Sequence, residues 1–120
     1  MYQIREVVLR RGMHEKKRLV IEFKEREQAI LGEFLMVDAP MLGGEILQEL
    51  EAVILGKQTL VVGSGNRCSW NIDAHEAVIE DLFADMDDEI PSMPTCTIET
   101  KKLYELIDMW LIKRREFENQ

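Results

Sequence analysis

Between Thr100 and Arg115 the apolar residues Leu103, Leu106, Ile107, Trp110 and Leu111 return every three or four positions. Residues at that spacing share one side of an α-helix, and a helix with one apolar side has to lay it against a partner surface. Thr100 stands where a side chain can cap the first turn, and Lys113-Arg114-Arg115 occupy the last turns, where cations suit the exposed carbonyls. This closing helix constrains the fold more than any other stretch, because everything before it must supply the surface that covers its stripe.

A second stripe runs through Leu42, Ile46, Leu50, Val53 and Ile54, with Gln48, Glu49 and Glu51 turned away. Gly56 follows where a helix-terminating glycine belongs, so a helix over about 42–55 is predicted. The remaining apolar runs are short and read as strands. Tyr2 to Leu9 and Leu19 to Phe23 form a hairpin across a polar turn at 10–17, and Ile30 to Val37 reads as a third strand ended by Ala39-Pro40. Thr59 to Val62 and Arg67 to Ile72 flank a turn at Gly63-Ser64-Gly65-Asn66, with Cys68, Trp70 and Ile72 on one face by their period of two. Over Ala77 to Phe83 the pattern leaves strand and short helix open, and strand is the reading adopted. Residues 85–94, acidic and carrying Pro91 and Pro94, read as an exposed loop.

The expected architecture is therefore a single α+β domain over 1–120. An antiparallel sheet of about six strands carries two helices on one face, in the order β-β-β-α-β-β-β-α. A chain of 120 residues is the right size for one core. No run reaches the roughly 20 apolar residues of a membrane span, and the first residues lack the basic-then-apolar layout of a secretory signal, so a cytoplasmic location is expected.

Charge is distributed unevenly. Residues 1–28 carry eight Lys/Arg against five Asp/Glu, whereas 29–99 carry only Lys57 and Arg67 against fourteen acids. The whole chain stands at −8. A central section this acidic repels a phosphate backbone, which argues against direct nucleic-acid binding and favours a basic protein as partner. Glu76, Glu80, Asp81, Asp85, Asp87, Asp88 and Glu89 fall within fourteen residues that include no Lys or Arg. They are the candidate partner contacts, as is Trp70, which becomes an exposed aromatic site if the second sheet face is open. The competing reading makes the same acids a solvated loop that keeps the domain soluble. Trp110, between Ile107 and Leu111, reads as core.

Chemistry is sparse. His14 and His75 have no Ser or Cys at the spacing of a nucleophilic pair. Gly63-Ser64-Gly65 lacks the Lys-Ser/Thr of a phosphate loop. Asp85-Met86-Asp87-Asp88-Glu89 runs into Pro91 and Pro94 where a calcium loop would have to continue, and no pair of acids stands out as a glycosidase couple. Cys68 and Cys96 are not spaced as zinc ligands and read as half-buried thiols, although a bridge between them stays open. No catalytic residue, metal ligand or cofactor site is assigned. What the residues alone imply is only a binder of other proteins, for which a structural or regulatory subunit of a larger complex is one reading.

The segment Gly65-Asn66-Arg67-Cys68-Ser69-Trp70-Asn71-Ile72 resembles a group of small bacterial immunity proteins. So do Glu80-Asp81-Leu82-Phe83, Ile98-Glu99-Thr100-Lys101-Lys102-Leu103 and Leu106-Ile107-Asp108-Met109-Trp110. These belong to contact-dependent growth inhibition and related polymorphic toxin systems. The resemblance covers about the last half of the chain. It implies a cytoplasmic protein that occludes the active site of a cognate toxin, often a nuclease, and it carries over no individual contact residue.

Overall fold

A computed structural model describes residues 2–83 and 92–120. The chain is α+β. Among the described residues, strands β1 (Tyr2–Arg11) and β2 (His14–Phe23) pair only with each other, and β3 (Val61–Ser64), β4 (Cys68–Ile72), β5 (Glu76–Asp81) and β6 (Cys96–Glu99) form an antiparallel meander in sequence order. Between the two sheets lie α1 (Ala29–Glu33), a π-helical turn at Phe34–Asp38, α2 (Ala39–Leu42) and α3 (Gly44–Ile54); α4 (Thr100–Glu118) closes the fold. One expected sheet is thus two, of two and four strands.

The third strand expected at 30–37 is helical instead. Apart from Gly32, which has no side chain, its buried residues come in pairs, Ile30 and Leu31, Phe34 and Leu35, Asp38 and Ala39. A repeat of four runs slightly slower than an α-helix, and one wide π turn restores the phase so that each pair faces the core. Gly32 sits here because α1 presses onto β2: a Cβ at that position would stand 3.2 Å from the Ile21 carbonyl oxygen.

The polar turn expected at 10–17 is also shorter than the sequence suggested. Both strands run on to a two-residue turn at Gly12-Met13, with Arg11 opposite His14 and Gly12 at φ +62°. A left-handed φ favours glycine. Strand β6 was not foreseen, since four residues just after Pro94 carry too little pattern to register. The strand reading of 77–83 holds as β5, and Gly56 adopts the expected left-handed φ of +77° after α3.

The core sits between one face of the four-stranded sheet and the helices. Cys68, Trp70 and Ile72 of β4 and Ala77 and Ile79 of β5 point into it, meeting Phe34 and Leu35 of the π turn, Leu50 and Val53 of α3, and Leu103, Ile107 and Trp110 of α4. Trp110 is buried as expected, and its indole Nε1 donates to the Leu35 carbonyl at 2.5 Å. Thr100 does not cap its own helix: its hydroxyl donates to the Asp73 carbonyl at 2.8 Å, tying α4 to the β4–β5 turn.

Candidate partner-binding surface

Because side chains alternate along a strand, burying Cys68, Trp70 and Ile72 leaves Ser69 and Asn71 on the opposite face of the meander. The register then sets the whole surface. Glu80 lies opposite Ser69, and Val78 lies opposite both Asn71 and Thr97. Val62 flanks Asn71 from β3, and Glu76 pairs with Glu99. The face reads in rows: an acid at Glu80, an apolar and polar band through Val62 and Val78, then two acids at Glu76 and Glu99. Val62 is 65% exposed, and Glu76, Glu80, Asn71 and Thr97 are exposed. None of these strand positions is Lys or Arg.

Asp73, at the turn before β5, adds another carboxylate beside the Glu76 row. It accepts the amides of Glu76 and His75, each at 2.8 Å, and those bonds hold it below the usual carboxylate range. Glu76 and Glu80 therefore stand where an extended 77–83 predicted, on one surface. Glu99, Asp73, Val62 and Val78 join them. The sequence held the signal for these in the positions between Cys68, Trp70 and Ile72, but it showed only once the pairing register was known.

A Bacillus cereus protein named "Immunity protein" is 34% identical to this chain over 92 residues, covering 77% of this chain and 75% of that protein. This chain belongs to that immunity-protein family. No family model matches the chain, and no solved structure does. Immunity proteins are named for a protective role, so the useful question about this member is which residues form its surface and which hold that surface in shape.

Two of the expected contacts lie beneath the surface. Trp70 is 5% exposed; its ring packs edge-on against Phe34 at a centroid distance of 5.4 Å and covers Gly63, where a Cβ would come within 2.8 Å of the indole nitrogen. The period of two that aligned Trp70 with Cys68 and Ile72 placed it on the core side. Asp81, at the end of β5, also points inward, with its side chain 1% exposed. Asp85, Asp87, Asp88 and Glu89 lie outside the described residues.

Asp81 organises the approach to that acidic stretch. Its carboxylate accepts the amides of Phe83 and Met93, both at 2.9 Å, and pairs with the Arg67 guanidinium at 2.5 Å. Burial pushes the carboxyl up, but the Met93 and Phe83 amides and the Arg67 charge outweigh it and hold the group below its usual range. Arg67 also lies over the Phe83 ring at 4.7 Å and reaches Glu33 at 3.8 Å. Residues on both sides of 84–91 are thus held at one carboxylate.

Asp38, wholly buried, does the same for the β3–β4 turn. It accepts the amides of Asn66 at 2.6 Å and Cys68 at 2.8 Å, with the Arg67 amide at 3.3 Å. Successive amides aimed at one carboxylate form a small anion nest, here filled from within the chain. Cys68 and Cys96 are both free and buried, and burial pushes both thiols up, away from the reactive thiolate. Among the described residues no three His, Cys, Asp or Glu side chains converge as metal ligands, and no helix is long and apolar enough to cross a membrane.

Proposed function

We propose that this protein binds a cognate bacterial toxin one to one and neutralises it by covering its active site. The open acidic face of the four-stranded sheet would be the docking surface. The observation that carries the reading is the arrangement of Glu80, Glu76 and Glu99 around exposed Val62 and half-buried Val78, without a cation among these strand positions. Membership of an immunity-protein family supports an inhibitory role, and the sign of the face supports a basic target. A nuclease of a contact-dependent growth inhibition or related polymorphic toxin system fits best. Its phosphate-binding surface is basic, and carboxylates on a rigid sheet would stand where phosphates bind. Such inhibition takes place in the cytoplasm and needs no cofactor. Asp85, Asp87, Asp88 and Glu89 extend the same field in sequence beyond β5. Trp70 and Asp81 contribute from below, by holding β4 and the end of β5 in place.

The test uses the toxin domain encoded beside this protein's gene. Its nucleic-acid cleavage should vanish near one molar equivalent, and residual cleavage in excess protein would refute neutralisation. Replacing Glu76 and Glu80 with Gln, and Asp85, Asp87 and Asp88 with Asn, should slow association by about tenfold at low salt and change dissociation much less. Unchanged association would remove these acids from the interface.

A further inference from the structure

The β1–β2 arm takes no part in that reading. Its two strands are ten residues each and, among the described residues, pair only with each other, and a lone two-stranded ribbon is marginal in water unless something covers it. Ile21, wholly buried, and the half-buried Ile4 and Phe23 anchor the base on the core. Beyond the base the arm is exposed along most of its length.

Alternation puts Arg5, Val7, Leu9 and Arg11 of β1 on one face, opposite Val20, Arg18, Lys16 and His14 of β2. Among the strand positions of this face the single acid is Glu22 at the base, paired with Arg5 at 2.6 Å, while Phe117 and Glu118 of α4 line a groove with Leu9, Lys16 and Arg18. Arg11, Lys16 and Arg18 make no ion pair among the described residues, and Leu9 is 50% exposed. A basic ribbon could suggest nucleic acid. The strand positions of this face, however, carry no Phe, Tyr or Trp for base stacking, the apolar side chains sit between the cations, and the chain as a whole is at −8. It suits an acidic protein surface with apolar residues of its own.

The molecule presents such a surface. The open sheet face carries acids on either side of Val62 and Val78, in rows two residues apart, and the arm's rows have the same pitch of about 6.8 Å because both are β structure. We propose that the arm of one copy lies across the open sheet face of a second copy. Val7 and Leu9 meet Val62 and Val78, while Arg11, Lys16 and Arg18 face Glu80, Glu76 and Glu99. One such contact is small beside the interfaces of stable dimers, so association is concentration-dependent, and reciprocal exchange in a two-fold pair doubles it. The inference goes beyond the toxin reading although it uses the same face. Its test needs only the purified chain, so failure here leaves that reading standing.

Sedimentation velocity across about a thousandfold range of concentration at low ionic strength should show a rising mean mass, and the rise should disappear at about 0.5 M salt. The variant Lys16→Glu/Arg18→Glu and the variant Glu76→Lys/Glu80→Lys should each remain monomeric alone and associate when mixed in equal amounts, because each then offers the sign the other lacks. The milder Lys16→Gln/Arg18→Gln should weaken self-association by about tenfold, with circular dichroism verifying the fold. A parent that is monomeric at every concentration overturns the proposal and leaves the arm for an acidic segment of another protein. Reversed variants that associate as the parent does, or folded variants that fail to pair when mixed, overturn it as well.

Discussion

Replacing Asp38 with Ala tests how the β3–β4 turn is held. The carboxylate is wholly buried and takes short hydrogen bonds from the Asn66 and Cys68 amides. The two amides differ in what happens next. Asn66 is exposed, so its N–H finds water and its loss costs about 1 kcal/mol. Cys68 is buried, and leaving its amide unpaired costs about 1–3 kcal/mol. Together the change should destabilise the fold by about 2–4 kcal/mol, a large share of the roughly 5–15 that domains possess. With a urea slope of about 2 kcal/mol/M, the midpoint falls by about 1–2 M, read from the fluorescence of the buried Trp70 and Trp110. Gly65 supplies the control. A Cβ there would overlap the Asp38 carboxylate, yet Gly65 lacks a left-handed φ, so Gly65→Ala acts through that overlap alone. It should destabilise the parent and do far less on the Asp38→Ala background, a coupling of about 1–3 kcal/mol. A midpoint shift below about 0.3 M for Asp38→Ala, or additive effects in the double variant, would refute the nest as the turn's support.

Two further outcomes follow from other buried contacts. Asp81 has a carboxyl held below its usual range, so its contribution is present above the unfolded-state value near about 4 and is lost as pH falls through the folded one. Asp81→Asn should therefore lower stability by about 1–3 kcal/mol at neutral pH, with the gap to the parent closing in acid, as urea titrations across pH would show; a constant gap would contradict the mechanism. Gly63→Ala places a methyl against the Trp70 indole and should lower stability by about 1–3 kcal/mol while disturbing tryptophan near-ultraviolet circular dichroism; an unchanged spectrum would mean that the ring has room to yield.

The legible parts of the fold were those with an unambiguous period. Leu103, Ile107 and Trp110 announce α4, and Cys68, Trp70 and Ile72 announce a half-buried strand, because one buried face imposes one repeat. Residues 30–37 misled for a physical reason: a helix whose buried side chains come in pairs every four positions presents a nearly continuous apolar run, which also suits a buried strand. At the candidate surface, Glu76 and Glu80 could be placed on one side from the alternation of β5 alone. Glu99 and Val62 could not, since they join that side only through pairing with strands elsewhere in the chain. The sequence groups Trp70 correctly with Cys68 and Ile72, but the expectation that Trp70 is an exposed contact fails, because which face the helices cover is a property of the assembled layers.

The amino-acid order by itself determined the two amphipathic helices, the strands around Gly63 to Gly65, the α+β class and the gathering of acids after residue 72. All of these are local, set by side-chain periodicity and turn chemistry within a few neighbouring positions. Tertiary structure decided that the β1–β2 arm stands apart from the meander, that Asp38 and Asp81 turn inward to hold backbone amides, and that Glu76, Glu80 and Glu99 share an uncovered face. Those outcomes depend on contacts between residues far apart in the chain, where burying apolar surface and satisfying buried polar groups outweigh local preference.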